Sequence, residues 1–196
     1  HKRVKVYVEK PFAMPQELST VADLDTETKK NIFAVDFFVD SDAFDYVLRQ
    51  KLLDEIGAVT HVVGTEVEKV DTALDPRVQT LMDPKESGGG IGYDVAEHPG
   101  AIMEVGLRQK GSTIRGADIK NVVMGRYEGA PGAENVETYM EISAETQDGI
   151  PLTIYAATGF EHHYEGVTFF GDKGSLEIMV GTETHDPYVI LRLNDG

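Results

Sequence analysis

Apolar and polar positions follow two different rhythms along this chain, and the rhythms predict its elements. Residues 3–8 (RVKVYV) and 32–39 (IFAVDFFV) are short apolar runs that read as strands. The stretch between them, PQELSTVADLDTETKK at 15–30, reads as a polar helix or loop. From Ser41 the period becomes helical: Phe44, Val47, Leu48 and Leu52 form one stripe through about Glu55, with Asp40-Ser41 as N-cap and Gly57 as C-cap. A β-branched strand, AVTHVVGTEVEKV, follows at 58–70, and then an irregular loop with Pro76 and Pro84. Residues 91–109 read as helical, with Pro99 kinking the helix or marking its restart. From 118 onward the period is two. IKNVVMGRYEG is one strand. VETYMEISAETQ at 136–147 puts Met140, Ile142 and Ala144 inward and Tyr139, Glu141 and Ser143 outward. Asp148-Gly149 turns the chain into PLTIYAATG, and VTFFG, SLEIMV and PYVILRL complete the set. The expected order is β-α-β, helix, then an antiparallel meander. That is an α+β fold: a large, mostly antiparallel open sheet with helices on one face.

Composition narrows the function. The 196 residues suffice for one substantial core, or a domain with a small appendage. No window holds the roughly 20 apolar residues that cross a bilayer, so a membrane partner is not expected and a cytoplasmic location is. Cysteine is absent, which excludes disulfides, thiolate nucleophiles and Cys-ligated metals. A net charge of −16 argues against nucleic acid, whose binding needs clustered Lys and Arg.

Three groups of residues could carry chemistry. Asp94 and His98, spaced i, i+4, would share a helix face, where a carboxylate raises the basicity of an imidazole and orients it. A surface ion pair accounts for the same spacing. Lys10, ahead of Pro11, sits where the first strand ends and could point its ammonium at a ligand; a solvated lysine at a strand-to-loop transition fits equally. Glu161-His162-His163 looks like a metal cluster, yet adjacent strand residues face opposite ways, so no metal site is expected. At least one of the two histidines is expected to line a polar pocket, with His163 the substrate-binding candidate, while His61 and His185 are expected to be structural or solvated. Gly88-Gly89-Gly90-Ile91-Gly92 follows a loop, not a strand, and no GxGxxG, Walker, GxSxG or HExxH motif occurs.

Taken in order, these features resemble the glucose-fructose oxidoreductase/inositol dehydrogenase (Gfo/Idh/MocA) family of nicotinamide-dependent sugar oxidoreductases. Glu9-Lys10-Pro11 in YVEKPFA matches its E-K-P tripeptide. DFFVDSDAFDYVLRQKLLDEIGAVTHVVG (36–64) looks like its segment leading into the long strand of a second domain. GGGIGYDVAEHPGA (88–101) matches its G-G-G-x-x-x-D-x-G-x-H-x-x-D through Asp94 and His98, with Ala96 and Ala101 in place of the later glycine and aspartate. Gly171-Asp172-Lys173-Gly174-Ser175-Leu176-Glu177 fits its G-x-K-G-S/T-L-E turn.

The resemblance implies roles. Glu9, Lys10 and Pro11 would meet the cofactor, and Lys10 also a substrate hydroxyl. Asp94 would bind or orient the substrate, and His98 would move the hydroxyl proton. It also implies that residues 1–30 are the end of a Rossmann domain, largely missing here, and that 31–196 form the substrate-binding and oligomer-forming domain. NAD or NADP would serve the intact parent, an oxidoreductase of sugar or polyol CH–OH groups, assembled as a homodimer or homotetramer through the sheet face. Whether this chain alone is an enzyme stays open. Two alternatives remain beside it: a non-catalytic sugar-binding or dimerisation module of the same fold, and a family glycosidase that oxidises its sugar transiently with tightly held NAD.

Overall fold

The computed structural model describes residues 5–9, 18–35, 38–68, 83, 85, 90–126, 136–159, 162–182 and 185–194. Strand β1 (Val6–Glu9) and β2 (Ile32–Val35) pair with each other in parallel, in a two-stranded sheet of their own. The polar stretch between them holds two short helices, α1 (Leu18–Asp23) and α2 (Thr26–Lys29). The second apolar run is shorter than its pattern suggests: β2 ends at Val35, and 38–40 lie in a turn.

Ser41 caps α3 (Asp42–Gln50) by accepting from the Phe44 N–H at 3.4 Å, and Asp42 and Asp45 sit in its first turn, where the helix dipole favours anions. The expected single helix to Glu55 is two. Lys51 takes a left-handed φ of 55° and α4 (Leu52–Glu55) restarts after it.

Seven strands form the large sheet, in the order β4-β5-β6-β3-β7-β8-β9: β3 (Val59–Glu68), β4 (Asp118–Gly125), β5 (Tyr139–Glu145), β6 (Pro151–Thr158), β7 (Tyr164–Gly171), β8 (Gly174–Met179) and β9 (Tyr188–Leu193). The order corrects the expected meander in one respect. β3 is inserted between β6 and β7, parallel to the first and antiparallel to the second. The chain therefore has to cross the C-terminal end of β3 on its way from β6 to β7. This ten-residue strand takes the centre of the sheet, buried at Val62, Gly64 and Glu66 on one face and half-buried at Val63 and Val67 on the other.

One face of the sheet is covered. Val62, Leu152, Val167, Phe169, Leu176 and Ile178 share it through the register and pack against Phe44 and Val47 of α3 and Ile102, Met103 and Leu107 of the long helix described below. The turn at Asp172-Lys173 locks the start of β3. Asp172 Oδ1 accepts from the Ala58 N–H at 2.8 Å, the Asp172 N–H donates to the Ala58 carbonyl at 3.0 Å, and the Lys173 N–H donates to the Ile56 carbonyl at 3.0 Å.

Glu104 ties the covering helix to the segment before β4. It accepts from the Ile114 N–H at 2.8 Å and the Thr113 hydroxyl at 2.9 Å and pairs with Arg108 at 2.6 Å. Its burial works against ionisation, but these donors and the Arg108 charge prevail, holding its pKa below the ordinary 4.5. A depressed carboxyl contributes stability that is present above pH 4.5 and lost as pH falls through the folded value. The stability gap between the protein and Glu104→Gln should be full at pH 7 and close below pH 4.5 in thermal melts. A gap unchanged from pH 7 to about pH 3 would remove Glu104 from the acid response.

Candidate functional site

The glycine-rich run leads into α5 (Ile91–Asp94) and then α6 (Glu97–Gln109). Asp94 and His98 were expected on one helix; they lie on two, with Asp94 ending α5 and His98 second in α6. Pro99 accounts for the break. Its ring excludes the carbonyl four residues back, that of Val95, and it has no N–H to offer. The Val95 carbonyl accepts instead from the His98 N–H at 3.1 Å, a tighter turn.

Gly90 sits against Glu137. Its N–H donates to Glu137 Oε1 at 3.0 Å, and a β-carbon there would collide with the Glu137 carbonyl. The close approach that glycine permits here is therefore to the chain itself; Gly88 and Gly89 lie outside the described residues.

His98 is 4% exposed, and its ring meets the Phe38 ring edge-on with centroids 4.0 Å apart. Pro99 and Gly100 beside it are buried as well. Helix α6 runs antiparallel to β3. A β-carbon at Gly106 would strike Phe169, the partner of Val62, while one at Gly64 would strike Pro99. The N-terminal end of α6, with His98, thus lies over the C-terminal end of β3.

That end of β3 carries residues the sequence reading passed over. Glu66 and Glu68 alternate along the strand and so share the covered face. Glu165 of β7 stands opposite Glu66 in the antiparallel register, and both are 1% exposed. His163, which ends the crossing segment, brings its Nε2 to 4.0 Å from Glu165 Oε2. Its neighbour His162 is exposed and turns away towards His185, ring centroids 6.4 Å apart. The E-x-E spacing in T-E-V-E was the available signal, since period two puts both carboxylates on one face. What they would face depended on where β3 enters the sheet.

Glu9 closes β1 opposite Val35, whereas Lys10, Pro11 and the side chain of Asp94 fall outside the described residues. His61 lies on the other face of the sheet, with Nε2 3.3 Å from the Thr153 hydroxyl and its ring stacked on Phe170.

No family model and no curated protein sequence matches the chain. Solved structures do. An inositol dehydrogenase homolog from Azotobacter vinelandii, complexed with NAD+, superposes with a TM-score of 0.70 at 15% identity over 95% of this chain and 50% of its own. A 3-ketoreductase from Actinomadura kijaniata, in complex with NADP and TDP-benzene, gives 0.69 at 16% identity over 98% and 55%. An aldose-aldose oxidoreductase from Caulobacter crescentus, complexed with glycerol, gives 0.67 at 18% over 96% and 53%. The fold is that of the C-terminal part of Gfo/Idh/MocA-type oxidoreductases, and the chain spans about half the length of these structures. Among the described residues no helix is long and apolar enough to cross a membrane.

Proposed function

We propose that this chain is the substrate-binding domain of an NAD(P)-dependent oxidoreductase that moves hydride between nicotinamide and a hydroxyl-bearing carbon of a sugar or polyol. The observation that carries the reading is the buried His98 at the N-terminal end of α6, on a fold shared with nicotinamide-dependent sugar enzymes. Residues 1–30 would belong to the dinucleotide-binding domain and 31–196 to this one. The sequence carries no G-x-G-x-x-G, so the pyrophosphate would be held elsewhere in the parent, and Glu9, Lys10 and Pro11 would meet the nicotinamide end.

When bound, the nicotinamide supplies the hydride acceptor or donor. His98 takes the hydroxyl proton as the carbinol is oxidised and returns it on reduction, which lowers the barrier because hydride leaves readily only from a carbinol losing its proton. Asp94 and Lys10 orient the hydroxyl, and His163 contacts the substrate beyond it. The Phe38 ring and Pro99 keep water from the imidazole. A non-catalytic sugar-binding module is the second reading, favoured by Ala96 and Ala101 where the resembling pattern has glycine and aspartate.

The uncovered face of the sheet would join copies into a dimer or tetramer. It holds Phe170 and Ile190, 40% and 36% exposed, beside half-buried Val63 and Val67. Titrating the chain with glucose, myo-inositol and glycerol, followed by the ring resonances of His98, tests the binding role. Saturable shifts at His98 are expected, and a panel that leaves them still would overturn it. Gel filtration of the same sample should show a multiple of 21.5 kDa; a monomer removes the assembly.

A further inference from the structure

We propose that Glu66, Glu68 and His163 bind a divalent cation of the zinc or manganese class. One donor atom from each of the three lies within 4.8 Å of the others. That span is about twice a metal–ligand distance of roughly 2.0–2.4 Å, so one ion can touch all three. The donor set is two carboxylates and an imidazole, which suits zinc or manganese over calcium or copper(I).

Three features of the fold build the place. The insertion of β3 between β6 and β7 drives the crossing segment over the end of β3, which is what delivers His163 to Glu68 and Glu66. The Gly159 N–H donates to the Glu68 carbonyl at 3.2 Å and fixes the start of that crossing. Across the ladder, Glu165 faces Glu66 directly, and like charges at opposed positions repel. A cation bound by Glu66 would offset that repulsion, at a depth where water screens it poorly.

A separate observation points the same way. Thr158 pairs with Glu68 in the parallel β3–β6 register, so both side chains stand on the covered face. Thr158 is 1% exposed, and its hydroxyl has no hydrogen-bond partner among the described residues. A buried hydroxyl is normally satisfied, and water or hydroxide carried by a bound ion would satisfy this one. Three protein ligands with a free position is the arrangement of a metal that keeps such a water.

The inference does not rest on the redox reading, because its test reads the ion itself. Chelator-stripped protein is titrated with ZnCl2 and MnCl2 by calorimetry. One ion per chain is expected, with Kd of about 10 μM or tighter, and a melting temperature that rises with ion concentration. Glu68→Gln and His163→Ala should each weaken binding at least about tenfold, while His162→Ala should leave it unchanged. The unaltered protein loaded with Mn2+ should show a nitrogen hyperfine coupling from one imidazole, a readout independent of how any variant folds. Absence of binding up to about 1 mM overturns the proposal. So does binding that survives Glu68→Gln and His163→Ala but falls with His162→Ala, which would place the ion between His162 and His185.

Discussion

If the proposed function holds, asparagine in place of His98 is expected to lower nicotinamide-dependent turnover by about 10²–10⁴-fold in a polypeptide that joins this domain to a dinucleotide-binding one. Asparagine fills similar space and can hydrogen-bond, but it cannot hold a proton. The loss should fall on kcat, with KM for the sugar changed much less, because the proton leaves in the transition state and not in the ground state. The imidazole is well prepared for the task. Its backbone is fixed by the Val95 carbonyl, its ring by Phe38, and 4% exposure leaves little room for bulk water. Turnover within about threefold of the original would hand the proton to another group and favour the non-catalytic reading.

Gly57→Ala should lower the unfolding free energy by about 2.5–5 kcal/mol, read by urea denaturation. Two causes combine. Gly57 has φ of +78°, where a β-carbon costs about 1–2 kcal/mol. That β-carbon would also collide with Asp172 Oδ1 and dislodge the acceptor of the Ala58 N–H, a charge-assisted bond worth about 1.5–3 kcal/mol. Gly111 separates the two. Its φ is +81°, but nothing lies within 4 Å of an added β-carbon, so Gly111→Ala should show the backbone cost alone. Equal losses at the two positions would mean that the Asp172 carboxylate contributes nothing to anchoring β3.

Where a rule is local, the sequence could be read. The stripe through Phe44, Val47 and Leu48, the cap at Ser41, the inward set Met140, Ile142 and Ala144 and the turn at Asp148-Gly149 each depend on neighbours within a few residues, and each is present, although the outward set Tyr139, Glu141 and Ser143 is half-buried. The left-handed Lys51 was not legible, because any residue but glycine is unfavourable there and tertiary packing has to override that preference. The break at Val95 could have been derived, since a proline obstructs the carbonyl four residues before it. The acidic pair could not. Glu66 meets Glu165 only because β3 joins β7, and no local period encodes a register between segments a hundred residues apart. At the site, His98 and the E-K-P strand stood out by type and order, whereas Glu66, Glu68 and Glu165 looked like members of an evenly acidic surface.

The central position of β3 also bears on how the chain is made. Both partners of this strand, β6 and β7, lie far downstream, the second ending at Gly171. At a synthesis rate of about 5–20 residues per second, β3 waits roughly 5–20 s with neither edge paired. A β-branched strand with two open edges is a template for joining other chains. Nascent polypeptide paused in that interval should therefore be the form most prone to aggregate and most dependent on chaperones, and truncations that end before β7 should be insoluble even though every covering helix is already present.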